Sequence, residues 1–322
     1  MIKPSYRGIA AIGDPHLASR VPGFRKDEYP TVMLRKLDWC LKYARGEGLL
    51  PCLLGDVFHW PRDNANWLLG ALFELIDQPV LAICGNHDCA ENTLGDDDSL
   101  SVIAKSGRLL LVDERAPWRG TMNGRAVVIG GTSWGQRLPD QFELDTFQLD
   151  GPRRAAPGLV VWLVHADVSF PGYDAGHVEP RAIPGIDLVI NGHIHRPLAD
   201  VVAGATTWLN PGNIARVKRG DSTRECVPSL LRIDVDEHGW RAARVEVPHE
   251  PFEQVFHAEV IAEKIATDES AFVHGLAELM ARRTETGAGL REFLQQNLAQ
   301  FDDRVAHEIM TLADEVLQDA NH

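Results

Sequence analysis

Hydrophobic positions in the first ninety residues alternate between short apolar runs and longer segments with a helical period. Apolar positions recur every three to four residues between Pro30 and Gly48, which predicts a helix ended by glycine. Asn64 is expected to cap a second helix. Short apolar runs that end in glycine followed by polar residues predict three buried strands, at 8–14, 49–56 and 79–88.

The second part of the chain is richer in strand patterns than in helix patterns. Apolar runs predict strands at 126–131, 159–165, 186–193 and 206–209, and a hairpin of 230–236 with 240–247. Helix-bearing crossovers early in the chain and short strands later favour an α/β fold over a simple doubly wound sheet. We therefore expect two packed β-sheets, a sandwich flanked by helices in a four-layer arrangement.

The pattern changes after the Pro-His-Glu-Pro stretch at 248–251. Phe272, Leu276 and Leu279 lie on one face of a predicted helix, and Val305 and Ile309 lie on one face of another. The predicted organisation is a catalytic domain over residues 1–250 and a helical C-terminal extension or cap over residues 251–322.

Composition limits the class of protein without deciding its function. A net charge of −14 argues against a broad basic surface for nucleic acid, although carboxylates that bind cations are included in that charge. No apolar run approaches the roughly 20 residues of a membrane helix, and no signal peptide is predicted at the amino terminus. The five cysteines lack zinc-finger spacing, and Cys52 and Cys84 are expected to be buried thiols. These features predict a cytoplasmic protein that does not enter a membrane.

Candidate ligands for metal ions follow the predicted strands. Loops at one edge of a sheet converge in space, so residues distant in sequence can meet there. Carboxylate, imidazole and amide groups suit divalent manganese, iron or zinc, and the missing thiolates argue against a structural zinc site. The ordered clusters are Asp14-Pro-His16, Gly55-Asp56, Gly85-Asn86-His87-Asp88, His165 and Gly192-His193-Ile194-His195.

Each cluster has an ordinary explanation when it is taken alone. A single His-x-His pair is usually two surface or core histidines, Gly-Asp and Gly-Asn pairs are usually turns, and His165 alone would be a buried, hydrogen-bonded histidine. Their order and their common position at strand ends favour metal binding. Two cations about 3.5 to 4 Å apart, sharing one carboxylate and one water, would suit hydrolysis of a phosphate ester.

The ordered set D-x-H, GD, GNHD, H and GHIH resembles the calcineurin-like metallophosphoesterase superfamily over roughly residues 8 to 215. The resemblance implies that Asp14, His16 and His195 bind one metal ion, and that Asn86, His165 and His193 bind the second. It further implies that Asp56 bridges the two ions. His87 would stabilise the transition state or protonate the leaving oxygen, oriented by Asp88.

Two further motifs resemble one branch of that superfamily, the SbcD-like DNA double-strand-break repair nucleases. Gly55-Asp56-Val57-Phe58-His59 is similar to a GD-x-F-H element, which implies that His59 is catalytic and faces the scissile phosphate; it could instead be a partly exposed histidine beside Trp60. Asn210-Pro211-Gly212-Asn213 is similar to an NPGS turn, with Asn213 in the place of serine. The GD-x-x-DRG and GNHE motifs of protein Ser/Thr phosphatases do not occur.

This resemblance implies an exonuclease or endonuclease with two divalent cations, with manganese preferred and iron, zinc or magnesium as alternatives. DNA is the implied substrate, an SbcC-like ABC-type ATPase the implied partner, and a homodimer the implied assembly. Two alternatives stay open. The first is a phosphodiesterase for a small substrate such as a cyclic nucleotide or nucleotide-sugar derivative, and the second is a metal-poor scaffold that binds proteins.

Three other segments have structural or functional interpretations. The loop from Leu17 to Pro30 carries Arg20, Arg25 and Lys26 and could approach a phosphate backbone, although such loops are more often solvated. Residues 96–98 are three aspartates expected to cap the helix that follows. The loop between His165 and His193, with Phe170, Tyr173 and His177, could line a substrate cleft or be plain surface.

Overall fold

A computed structural model of the chain describes residues 6–22, 25–143, 147–148, 154–155, 157–173, 175–217, 219 and 221–257. The strands in chain order are β1 (Gly8–Ile12), β2 (Leu49–Leu53), β3 (Val80–Ala82), β4 (Leu109–Leu111), β5 (Trp118–Met122), β6 (Arg125–Thr132), β7 (Phe147–Gln148), β8 (Arg154–Ala155), β9 (Leu159–Val164), β10 (Leu188–Asn191), β11 (Val201–Ala203), β12 (Thr206–Leu209), β13 (Ser229–Val235) and β14 (Trp240–Glu246). The helices are α1 (Tyr29–Gly46), α2 (Asn66–Leu75), α3 (Ser99–Lys105), α4 (Asp221–Glu225) and α5 (Phe252–Val255).

Two mixed sheets of six strands each make up the framework, and they confirm the predicted α/β sandwich. The first has the order β14-β13-β1-β2-β3-β4, and its last four strands are parallel. The second has the order β11-β12-β10-β9-β6-β5, with the four central strands parallel. Parallel strands end at the same edge of their sheet. In each sheet, the loops that follow the parallel strands therefore lie at one edge.

Burial on both faces explains why the strands are continuous apolar runs. In β1, Ala10 and Ile12 face the layer that contains α1, while Ile9 and Ala11 face the core between the sheets. In β9, Trp162 lies on the outer face of the second sheet. That face is covered by the segments around Phe142, Phe170, Ile183 and Leu198, which pack against it.

The predicted positions of helix α1 and of the β13–β14 hairpin are confirmed, whereas neither of the two predicted cap side chains bonds to its helix. Helix α2 begins after Ala65, and Asn64 instead donates to the Trp60 carbonyl and the Ser99 hydroxyl at 2.8 and 2.9 Å. Asp98 is at the N-cap position of α3, but its carboxylate binds Arg62 and the Gly95 amide, both at 2.8 Å. Asn64 therefore lies one residue before the N-cap of α2, and Asp98 is at the N-cap of α3 without a side-chain capping bond.

The chain divides into two compact units, residues 1–258 and residues 259–322. The helices predicted beyond residue 257 lie outside the described residues, so the domain boundary predicted at residue 250 stays a prediction. None of the helices in the described part of the chain combines the length and the apolar content needed to span a bilayer. Cys52 and Cys84 are buried thiols, as predicted.

Candidate metal centre

The candidate ligands lie in loops that leave the carboxyl ends of strands from both sheets. Asp14, Asp56 and Asn86 follow β1, β2 and β3, while His165 and His193 follow β9 and β10. The first two loops are joined by the backbone, because the His16 amide donates to the Asp56 carbonyl at 2.8 Å. The parallel register of the strands therefore brings segments far apart in sequence to one place.

The backbone at this place adopts conformations that most residues avoid. Six non-glycine residues in the described part of the chain have positive φ, and four of them are Asp14 (40°), His16 (46°), Asp56 (47°) and His193 (68°). Such conformations cost about 1–3 kcal/mol each and persist only where the surroundings enforce them. Their concentration among the candidate ligands indicates that the loops are shaped to present these side chains.

Glycines allow the loops to approach closely enough for the side chains to meet. Gly55 has φ of 93°, and a Cβ atom there would overlap the His165 ring. A Cβ atom on Gly85 would overlap the Asp56 carboxylate and backbone. The glycines of the GD and GNHD motifs are therefore required by tertiary packing against neighbouring candidate ligands.

A first cluster of candidate ligand atoms is nearly closed to solvent. Asp14, His16, Asp56 and His195 each offer one ligand atom, and these atoms all lie within 4.8 Å of one another. The His16 Nε2 atom is 3.0 Å from His195 Nε2 and 3.6 Å from Asp56 Oδ2. This set is the one that the superfamily resemblance assigns to the first metal ion.

A second cluster shares Asp56 with the first. The candidate ligand atoms of Asp56, His165 and His193 lie within 4.8 Å of one another. Asn86 joins them, because its Oδ1 atom is 3.1 Å from His165 Nε2 and 3.0 Å from His193 Nδ1. Asp56 is thus in the position expected of a bridging carboxylate.

The electrostatics of the two clusters are those of closely opposed buried charges. Burial opposes ionisation of Asp56, but the imidazoles led by His165 outweigh it and hold its pKa well below the usual range. Burial likewise disfavours the charged His165 ring, yet the Asp56 carboxylate raises the pKa of His165 to about 10. Burial raises the pKa of Asp14 to about 8 and lowers that of His195 to about 3.

This donor set fits two divalent cations. The Asp14 Oδ2 and His16 Nδ1 atoms are buried and make no hydrogen bond, and polar atoms buried in that way cost free energy. Oxygen and nitrogen donors without thiolates match borderline-hard divalent metals. Asp14, His16 and His195 would hold one ion, Asn86, His165 and His193 the other, and Asp56 both; these individual roles stay predictions.

Hydrogen bonds to backbone carbonyls set the orientation of two further rings. His165 Nδ1 donates to the Leu54 carbonyl at 2.7 Å, which turns Nε2 toward Asn86 Oδ1 at 3.1 Å. His87 Nδ1 is 2.8 Å from the His59 carbonyl, which leaves its Nε2 atom able to give or take a proton. The Nε2 atoms of His165 and His87 are therefore the ring nitrogens that face the two clusters.

The expectation that Asp88 orients His87 is wrong. Both oxygens of the buried Asp88 carboxylate accept backbone N–H groups, from Phe58 and from Gly85, each at 2.9 Å. Asp88 therefore ties the GD loop to the GNHD loop, and the His59 carbonyl orients His87 instead. Burial raises the pKa of Asp88 to about 7, with the Asp56 charge as the next cause.

His59, the other candidate catalytic residue, lies beside His87 at the first cluster. The two rings stack at 26° with centroids 5.3 Å apart, and His59 is 5.4 Å from the His16 ring. The ligand atoms of His16, His59 and His87 all lie within 4.8 Å of one another. Arg20 lies over the neighbouring Trp60 ring at 5.1 Å.

The sequence reasoning did not single out two side chains that contact the second cluster. The Asp167 Oδ1 atom is 2.9 Å from His193 Nε2, and this hydrogen bond holds the pKa of Asp167 below its usual value. The Trp134 ring lies 4.9 Å from the His193 ring at 31°. Asp167 is two residues after the candidate ligand His165, and that spacing could have indicated a residue near the site. No motif or spacing in the sequence points to Trp134.

Other expectations about the surrounding loops need correction. Phe170 does not line a cleft, because it is 2% exposed and packs on the outer face of the second sheet. In the 17–30 loop, Arg20 and Lys26 are exposed, as expected of a solvated loop, whereas the buried Arg25 side chain binds Asp27 and the Arg216 carbonyl. Tyr173 does approach the centre, donating to Asp167 at 3.1 Å.

The turn at Asn210 supports the loop that carries His195. Its side-chain amide donates to the carbonyls of Ile194 and Arg196 at 3.1 and 2.8 Å. The Ile214 amide donates to the Gly13 carbonyl at 3.1 Å, which connects the same segment to the Asp14 loop. This motif therefore acts by positioning the backbone around both ends of the first cluster.

Comparison with known protein families agrees with this arrangement. The model of the calcineurin-like phosphoesterase family matches residues 8–197, which is more than half of the chain and spans the strands and loops that carry every candidate ligand. The chain belongs to the calcineurin-like phosphoesterase family. Membership supports a metal-dependent phosphoesterase, a hydrolase. A search of curated protein sequences found no match.

Solved structures similar to this family member share little sequence with it. A conserved protein of Streptococcus pneumoniae, described as a predicted phosphoesterase, has 11% identity and a TM-score of 0.35, with 76% of this chain and 92% of that chain covered. A hypothetical protein of Thermus thermophilus has 13% identity, a TM-score of 0.40 and coverages of 74% and 99%. Vacuolar Protein Sorting 29 of Cryptosporidium parvum has 13% identity, a TM-score of 0.29 and coverages of 75% and 97%.

Proposed function

We propose that this family member is a nuclease of the SbcD-like type, which hydrolyses phosphodiester bonds in DNA with two manganese ions. The observation that carries the proposal is the pair of stacked imidazoles, His59 and His87, beside the first cluster. One histidine is sufficient for general acid–base work. The second imidazole, His59, is the residue that the SbcD-like resemblance places against the scissile phosphate.

The chain's own residues have separable roles in this proposal. When bound, the two cations supply positive charge that stabilises the charge developing on the phosphoryl oxygens. His87, held by the His59 carbonyl, exchanges a proton at Nε2 with the leaving oxygen. His59 contacts the phosphate and restricts its orientation beside His87. Asp88 keeps the two loops at a fixed separation through its two backbone hydrogen bonds.

A second candidate keeps the chemistry and changes the substrate to a small phosphodiester. The net charge of −14 favours it, because a polyanionic substrate is repelled by an acidic surface. Both candidates share the dinuclear centre, so only substrate preference separates them.

Cleavage of matched substrates tests the proposal. Linear duplex DNA, single-stranded DNA and bis-p-nitrophenyl phosphate would be compared with manganese present. We expect cleavage of DNA, and a larger loss on DNA than on the small ester in His59→Ala. His238→Ala, at a histidine whose side chain is 86% exposed on the β13–β14 hairpin, is the matched control and should leave both rates unchanged. Hydrolysis of the small ester alone would refute the nuclease assignment.

The assembly that the SbcD-like resemblance implies is part of the same proposal. It comprises a homodimer and a complex with an SbcC-like ABC-type ATPase. Light scattering after size-exclusion chromatography would measure the mass of the assembly. A mass of one chain, about 35.6 kDa, at all concentrations would refute the homodimer.

A further inference from the structure

Asp167 lies at the edge of the second cluster, in the segment that follows β9. Its backbone is held in place, because the Asp167 carbonyl accepts the amides of His177 and Val178 at 2.8 and 2.9 Å. Its side chain is 27% exposed and points to the His193 ring. The carboxylate is therefore on a fixed backbone and still open to the site.

The contacts of Asp167 determine which nitrogen of His193 carries a proton. The Oδ1 atom of Asp167 accepts from His193 Nε2 at 2.9 Å, and the Tyr173 hydroxyl donates to the same oxygen at 3.1 Å. A carboxylate oxygen can only accept, so the His193 proton resides on Nε2. Nδ1 is then the nitrogen that would face a cation at the second cluster, and it lies 3.0 Å from Asn86 Oδ1, an oxygen that would face the same cation.

The rest of the His193 ring is held by an aromatic contact. The Trp134 ring lies 4.9 Å away at 31°, so it covers one face of the imidazole. The Trp134 backbone amide donates to the Cys84 carbonyl at 2.9 Å. This hydrogen bond ties the backbone of Trp134 to the segment that immediately precedes the GNHD motif. With one edge bound to Asp167 and one face covered, the ring has a single orientation.

We propose that Asp167 is a positioning residue for the second metal ion, acting through His193 by fixing its tautomer and its ring orientation. This inference rests on the proposed two-metal function. Histidines that bind metals generally donate their other N–H to a carboxylate or carbonyl, and removal of that partner weakens binding of the metal about 10–100-fold. Loss of Asp167 should therefore act on one ion and leave the other nearly unaffected.

Titration of metal-free protein with Mn²⁺ tests the inference without an activity measurement. Calorimetry would give the number and affinity of the ions, and electron paramagnetic resonance would distinguish a coupled pair from a single ion. The variants are Asp167→Ala and Asp167→Asn, with Asp200→Ala at an exposed carboxylate as the matched control. Circular dichroism would verify the fold of each variant, and Asp167→Asn, whose amide oxygen still accepts a hydrogen bond, serves if the alanine variant does not fold.

We expect the wild type and Asp200→Ala to bind two ions. Asp167→Ala should bind the first normally and the second about 10–100-fold more weakly, with Asp167→Asn in between. Unchanged binding of both ions in Asp167→Ala would overturn the inference, and so would parallel weakening of both, which indicates a general structural role. A wild type that binds fewer than two ions would instead overturn the proposed two-metal function.

Discussion

At the scale of single residues, Asp56 is the side chain on which both candidate metal sites depend. Its Oδ1 atom accepts the His87 amide at 2.8 Å and lies 3.5 Å from His165 Nε2, while its Oδ2 atom lies 3.6 Å from His16 Nε2. One carboxylate therefore connects the first cluster, the second cluster and the backbone of the candidate acid. Candidate ligands and candidate acid–base residues can be separated by substitution because they differ in what they contact.

Substitution of His193 and of His87 should have different consequences. His193→Ala removes a nitrogen donor from the second cluster, so we expect one bound ion in place of two and no detectable turnover. His87→Ala removes only the proton donor, so we expect both ions to remain and the rate to fall about 10²–10⁴-fold. Elemental analysis together with rates on bis-p-nitrophenyl phosphate would verify this. A normal rate in either variant would contradict the assignment concerned.

At the scale of the loops, the glycines determine how closely the ligands approach. Gly85 lies against Asp56 with no room for a Cβ atom, and the obstructing atoms include backbone. Gly70 of α2, in contrast, has open space where a Cβ atom would lie, with no other atom within 4 Å. Packing against Asp56 therefore requires glycine at position 85, whereas packing does not require glycine at position 70.

Alanine at these two positions should change stability in opposite directions. Gly85→Ala should lower the free energy of unfolding by about 1–3 kcal/mol, because an added methyl group must displace the Asp56 loop. Gly70→Ala should raise it by roughly 0.5–1 kcal/mol, since alanine is the better helix former. Urea denaturation monitored by circular dichroism would measure both. Equal stability of the two variants would show that the loop accommodates the methyl group.

Among the secondary-structure elements, long apolar runs were the most predictable. The strands at β1, β2, β9 and β10 are buried on both faces, so their sequences are almost free of polar residues. The short edge strands β4 and β11 were not predicted, because three residues with partly exposed side chains give no periodicity to detect. The predicted cap of α2 was placed one residue too early, and Asp98, at the N-cap of α3, binds Arg62 and the Gly95 amide in place of its helix.

At the scale of the whole molecule, the candidate metal ligands come from both sheets. Asp14, Asp56 and Asn86 come from loops of the first sheet, and His165 and His193 come from loops of the second. Cations bound there would hold the sheets together at the edge where these loops meet. A ligand that binds only the folded state stabilises it by mass action.

Thermal unfolding should therefore depend on divalent metal. At a Mn²⁺ concentration about 100 times the dissociation constant, the stabilisation is about 2.7 kcal/mol for each bound ion, and each ion raises Tm by roughly 5–10 °C for a domain of this size. Differential scanning calorimetry of chelator-treated and manganese-loaded protein would measure the shift, with His193→Ala as the variant that should show less of it. Identical Tm values with and without manganese would contradict metal binding across the sheets.

The sequence by itself determined the two-sheet α/β class, the order along the chain of the strands that carry the candidate site, and the residue types of the candidate metal ligands. It could do so because buried strands and metal ligands leave local patterns of hydrophobicity and motif spacing. Only the tertiary structure decided that the His59 carbonyl orients His87, that Asp88 ties two loops together, and that Asp167 and Trp134 hold His193. Those contacts join residues from separate loops, and such partners are chosen by the packing of the two sheets, which no local pattern records.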